Sequence, residues 1–223
     1  MSNNSALEDA LDHRSVIDLA QSVLDSFYAS VLACGRFPPN KPHIEIARTS
    51  GPIHYDHDKC AVVLIPYELL DPGRRAGMDR FAAIGTLGLS GRDHYAEIFN
   101  NLLVAHELGH WLQCLAQRPL TPWQAEYDAN RIMVAFWREH PSGGHTASTE
   151  LRLANFVVQP STMPNPLASA PDADPGDYFN THLAEIEANP ASYAAFQKLM
   201  VRKAMAELPA PTFCGLVASM WPT

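Results

Sequence analysis

The chain carries little charge and nowhere concentrates it. Lys and Arg number 16 against 24 Asp and Glu in 223 residues, a formal net charge of −8, with no basic block to follow a phosphate backbone or an anionic bilayer. Neither nucleic acid nor a membrane is an expected partner. Long hydrophobic runs are missing as well: the longest unbroken apolar stretches, such as Cys60 to Ile65, fall far short of the ~18 residues of a membrane span. The opening MSNNSALEDALDHR lacks the basic start and apolar run of a signal peptide. Cys34, Cys60, Cys114 and Cys214 show no CxxC spacing and read as buried thiols of a reducing compartment, although an even count leaves disulfides open. A cytoplasmic protein is expected. There is no Gly-x-Ser-x-Gly nucleophile elbow, and Gly143-Gly144 is too little for a phosphate-binding loop.

What is present is enough apolar material for a substantial core: hydrophobic residues make up 47% of the chain, which separates it from disordered sequences. One compact domain with two lobes is expected, residues 1–118 and 119–223. Ser15 can cap a helix whose Val16, Leu19, Ala20, Val23, Phe27, Val31 and Leu32 recur at helical spacing, with Gly35 ending it. Two β-rich runs, His43 to Arg48 and Cys60 to Pro66, predict a small sheet or hairpin. A helix near 75–86 then leads into a long one over about 93–117.

Beyond Pro119 the pattern is helical throughout. Thr121, Pro122 and Gln124 form a capping-box signature for a helix running to about Glu139. Shorter helices are expected over 149–158, 177–188 and 190–208. The proline-rich stretch 159–175 reads as a mobile surface connection at the edge of a cleft. The fold class is α+β, mostly helical, with a small N-terminal sheet.

The chemistry lies in the long helix. His106-Glu107-Leu108-Gly109-His110 is an HExxH motif, and residues four apart on a helix sit one turn apart on one face, so both imidazoles can reach one ion beside Glu107. The bare motif is as readily a chance string on a solvated face, but its setting argues against that. From Ile98 to Gln117, Glu107 is the only charged side chain, and Leu102, Leu103, Val104, Leu108, Trp111 and Leu112 make the helix apolar nearly all round. Such a helix is buried. An ionised carboxylate there needs compensation, and a divalent cation supplies it. Gly109 costs ~1 kcal/mol relative to Ala in a helix interior, so another backbone or a substrate is expected close to this turn.

Two histidines do not complete a catalytic zinc site, which has three protein ligands and an open position. The metzincin pattern is excluded, because its glycine and third histidine would fall at Gln113 and Ala116. Glu126 is the better candidate. It shares a helix face with Ala129, Asn130, Met133, Phe136 and Trp137, whereas Asp128 lies with Gln124, Arg131 and Arg138. Asn130 can orient a ligating histidine by accepting its second ring N–H, or can simply be a satisfied interior amide.

His106, Glu107 and His110 followed by Glu126 and Asn130 resemble the gluzincin metallopeptidases, especially compact ones such as minigluzincins and the ImmA/IrrE-like proteins. The resemblance covers about residues 40–139. It implies a zincin-like fold with a sheet edge lining the cleft, an HExxH helix and a glutamate helix, and hydrolysis of a peptide or protein substrate. In that chemistry Zn2+ is bound by His106, His110 and Glu126, and Glu107 is the general base. A second oxyanion donor is expected from the C-terminal lobe, with Tyr178 and His182 as first candidates and His140, His145 and Tyr193 as competitors. The alternative from another class is a non-catalytic zincin-fold protein that uses zinc structurally and binds a protein partner. His54-Tyr55-Asp56-His57-Asp58 can in principle hold a second metal but reads as the solvated turn between the strands.

Overall fold

Residues 3–48, 51–140, 148–158, 163, 165 and 167–221 are described by a computed structural model, with side chains from residue 16 onward. It is 65% helical with one small three-stranded sheet, the α+β class expected. Helix α1 (Asn3–Ala33) begins well before Ser15, which lies inside it and not at its start. The helix ends where Gly35 takes φ +74° and the Gly35 and Arg36 N–H groups return to the Leu32 and Val31 carbonyls. Val16–Ala33 is long and apolar enough to cross a membrane by length and composition alone. Its Ala20, Val23, Leu24, Phe27 and Val31 are nonetheless buried in the protein core.

The sheet differs from a hairpin. Strand β3 (Ala61–Leu64) is central and wholly buried, β1 (His43–Ile46) pairs with it in parallel, and β2 (Ile53–Asp56) pairs antiparallel on the other side. Strand β2 occupies the segment expected to be a turn. Its Ile53-His54-Tyr55-Asp56 alternation buries Tyr55, and Asp56 Oδ1 closes the real turn by accepting from the Asp58 and Lys59 N–H groups, each at 3.1 Å. The Ile65 N–H bonds the Pro52 carbonyl, so by antiparallel alternation Tyr55 turns its own N–H away from β3, toward the free edge.

Helix α2 (Pro72–Ile84) leads to a helical rod made of α3 (Gly91–Glu97), a π turn (Ile98–Leu102) and α4 (Leu103–Ala116). The long helix expected over 93–117 is therefore present but interrupted. Helix α5 (Pro122–Glu139) starts at the expected capping box, with both reciprocal hydrogen bonds between Thr121 and Gln124. Then come α6 (Thr149–Val157), α7 (Pro175–Thr181), α8 (Leu183–Glu187), α9 (Pro190–Met205) and an unexpected α10 (Phe213–Met220). The helix expected over 177–188 is broken at His182. Part of the proline-rich stretch, 159–162, 164 and 166, lies outside the described residues, as do Gly143, Gly144 and His145.

The main core joins both ends of the chain. Phe27 of α1 packs on Phe136 of α5 and Phe213 of α10 at ring separations of 5.2 and 5.1 Å, and Leu108 of α4 belongs to the same cluster. Cys34 at the end of α1 is disulfide-bonded to Cys214 in α10, which corrects the reading of all four cysteines as thiols; Cys60 and Cys114 remain free. A second buried feature fastens α6. Arg152 reaches Glu97 at 2.6 Å and lies 4.5 Å from the Trp137 ring.

Candidate metal centre

Two helices bring three donor atoms together. His106 and His110 project from one face of α4 with Nε2 atoms 3.1 Å apart. Glu126 on α5 places Oε2 3.3 Å from His106 Nε2 and Oε1 3.6 Å from His110 Nε2. The expected third ligand thus meets both histidines, and the three form a group that can hold a metal ion. Gly109 makes the approach possible. A Cβ there would stand 2.9 Å from Ala129 Cα and 3.1 Å from Ala129 Cβ, so α5 crosses α4 where α4 has no side chain. The close neighbour expected from this glycine is the α5 backbone.

Carboxamides fix the direction of each donor. Asn130 Nδ2 donates to the Glu126 carbonyl at 2.9 Å, which orients the amide and leaves its Oδ1 3.1 Å from His106 Nδ1. Gln113 Nε2 donates to the Ala125 carbonyl at 2.7 Å, leaving its Oε1 2.9 Å from His110 Nδ1. A backbone carbonyl only accepts, so both amide orientations follow. Each Nδ1 must then carry the proton. Both Nε2 atoms consequently face one another and the Glu126 carboxylate, as N–H donors when the rings are protonated and as lone pairs when they are neutral.

That arrangement tests the fit of a cation. With neutral rings, three lone-pair donors at 3.1, 3.3 and 3.6 Å repel unless a cation lies among them; without one, protonated imidazoles pair with Glu126 instead. Donors ~2.0–2.2 Å from a tetrahedral zinc stand about 3.3–3.6 Å apart, close to the edges found here. A two-imidazole, one-carboxylate set to which no fourth His, Cys, Asp or Glu is added among the described residues suits such an ion. Glu126 itself is held down to about 2: burial raises it, but the hydrogen bond and charge of His106, the charge of His110 and the Gln197 hydrogen bond outweigh burial.

Glu107 is buried next to the donors. Burial pushes its carboxyl up to about 7, the Glu126 charge adds to this, and the His110 charge and a hydrogen bond from the outward Tyr55 N–H partly offset it. A carboxylate poised near neutral pH beside a cation site can accept and return a proton. The phenol brought to these carboxylates is Tyr193, on α9. Burial first, then the charges of Glu126 and Glu107, raise its pKa, and it exchanges hydrogen bonds with Gln197 and Glu126.

The first candidates for the oxyanion donor have other contacts. Tyr178 and His182 share a face as expected, but their rings stack at 4.1 Å, the His182 ring bonds the Tyr178 carbonyl, and the Tyr178 hydroxyl meets Ser169. His140 stacks on Phe136 and contacts Ser30 Oγ at 2.9 Å, a packing role. Among the described residues no second group of three such donors is drawn together, and His54 to Asp58 fall in strand β2 and the turn after it. Three participants went unnoticed in the sequence: Gln113, Gln197 and the Tyr55 N–H. Gln113 lies three residues after His110 on the same helix face and was readable, but Gln197 is 71 residues from Glu126 and was not. No family model, curated protein or solved structure matches this chain.

Proposed function

We propose that the protein is a zinc-dependent peptidase with the ligand set His106, His110 and Glu126 and with Glu107 as its general base. The observation that carries this reading is the convergence of three lone-pair donors, with fixed tautomers, beside a buried carboxylate that is not one of them. A structural zinc site closes its fourth position with a protein ligand and has no use for an adjacent base. That distinction favours the hydrolase over a non-catalytic protein that binds a partner through the same fold. The motif and the edge strand β2 beside α4 support a gluzincin relationship and a zincin-like layout.

When bound among these donors, zinc supplies a Lewis acid that acidifies water and polarises a carbonyl. Glu107 takes the proton of the attacking water and hands it to the leaving amine. Its hydrogen bond from the Tyr55 N–H holds the carboxylate toward the free edge of β2. Tyr193 is the group able to turn from Glu126 and donate to the developing oxyanion, the task first sought in Tyr178 and His182.

Glu107→Gln tests the reading. The variant keeps side-chain volume and all three metal donors but cannot accept the proton. Zinc content and melting temperature should stay unchanged, while cleavage of a broad peptide library falls by at least ~100-fold. Wild type as inactive as the variant would select the binding protein. Undiminished cleavage by the variant would remove Glu107 from the mechanism.

A further inference from the structure

The metal donors come from α4 and α5, yet one side chain of α9 touches both the carboxylate ligand and the residue that orients a histidine. Gln197 Nε2 donates to Glu126 Oε2 at 2.5 Å, and Gln197 Oε1 accepts from Asn130 Nδ2 at 2.8 Å. Asn130 in turn holds His106 Nδ1. We infer that Gln197 is the positioning residue through which the C-terminal helices set the affinity and geometry of the metal centre. This rests on the reading that His106, His110 and Glu126 hold a divalent ion.

The chemistry of the side chain explains why a glutamine stands there. Glu126 Oε2 needs a donor and Asn130 Nδ2 needs an acceptor, and only a carboxamide offers one of each at the two ends of a single planar group. A glutamate would set two carboxylates against each other, and a lysine would offer Asn130 no acceptor. The bond to Oε2 also fixes how Glu126 is rotated about its last torsion. Oε2 is tied to α9 while facing His106, and Oε1 is left toward His110. Without Gln197, Glu126 keeps only Tyr193 as its hydrogen-bond donor on α9 and Asn130 Nδ2 keeps only the long Met200 Sδ contact there, so a ligand and a ligand-orienting amide loosen together. Gln113 belongs to a separate branch, since it bridges His110 to the Ala125 carbonyl without touching α9.

This two-branch layout gives a test that packing alone would not satisfy. Zinc affinity is read by competition with a chromophoric chelator for wild type, Gln197→Ala, the size-preserving Gln197→Met, Asn130→Ala and Gln113→Ala. The fold of each is followed by circular dichroism of the metal-free protein. Both Gln197 variants should bind zinc 10- to 100-fold more weakly, roughly the effect of losing an outer-shell partner, with the metal-free fold retained. Substituted with Co2+, they should show altered visible absorption as the carboxylate rotates. Gln197→Ala combined with Asn130→Ala should lose less than the product of the single losses, while its combination with Gln113→Ala should multiply. Zinc affinity within twofold of wild type, multiplication in both pairs, or loss of the metal-free fold in both Gln197 variants would overturn the assignment. Wild type failing to bind zinc at one equivalent would instead refute the metal centre itself, and this inference with it.

Discussion

Gly109→Ala is the sharpest probe of how the helices build the site. In an isolated helix the change is favourable by roughly 1 kcal/mol. Here the added methyl would lie 2.9 Å from Ala129 Cα, about 0.7 Å inside the ~3.6 Å contact distance of two carbons. Both atoms belong to helical backbones or stubs that cannot rotate aside, so α5 must move outward or the methyl stays compressed. Overpacking of this kind costs about 1–3 kcal/mol, leaving a net destabilisation of about 0–2 kcal/mol after the helix gain. The metal centre should lose more. The two donor separations that cross the helix pair, 3.3 and 3.6 Å, would both widen with α5, beyond the ~3.3–3.6 Å of a tetrahedral zinc. A melt of the chelated protein should therefore show a small decrease, whereas chelator competition should show zinc affinity down by at least ~10-fold. An Ala variant that melts higher and binds zinc as tightly as wild type would refute the idea that close helix contact sets the ligand geometry.

The acidic groups give the metal-free protein a pH signature. Glu107, raised from 4.5 to about 7, makes the folded state hold an extra proton between those values, so stability falls as pH rises through that window by about 3 kcal/mol. Glu126, lowered to about 2, contributes stability that is present above 4.5 and lost as pH falls toward 2. Buried His94, lowered to about 4, opposes Glu107 over the same window, so the signature is read as the difference between metal-free wild type and metal-free Glu107→Gln: the variant should gain stability relative to wild type as pH rises from 4.5 to 7, and a pH-independent difference would contradict this. Thiol titration of unreduced, denatured protein should find two reactive cysteines, Cys60 and Cys114, and four after reduction; four at the outset would return Cys34 and Cys214 to thiols of a reducing compartment.

What the sequence disclosed was whatever is encoded locally. The α5 start was legible because Thr121, Pro122 and Gln124 carry its capping chemistry within four positions. The ligand pair on α4 followed from helical periodicity, and Glu126 from the apolar face it shares with Ala129 and Met133. Strand β2 was hidden by its polar His54 and Asp56, although Ile53 and Tyr55 alternate with them. Helix α10 is short and follows a proline-rich lead, so its Thr212 cap was easy to pass over. The π turn leaves no local signal, because Ile98 to Leu102 continue the apolar pattern around it. The Cys34–Cys214 bond and the Gln197 bridge join positions that only the assembled helices bring together.

Two buried carboxylates in this chain show how differently such a group can be accommodated. Glu97 is met by Arg152 at 2.6 Å and receives the Asn101 amide as well, so its charge is balanced from within the chain. Glu107 lies a few turns further along the same helical rod, equally buried, and among the described residues neither it nor Glu126 pairs with a Lys or Arg. Both imidazoles beside them are held by Asn130 and Gln113 with their Nε2 atoms inward, where two carboxylates already stand. A protein that needed only packing at this crossing would lose nothing by placing leucines there, as it does at Leu108 and Leu112. Protons on the two rings, or a cation among the donors, balance these carboxylates, and the proposed zinc would do so while leaving both Nε2 lone pairs in use as ligands.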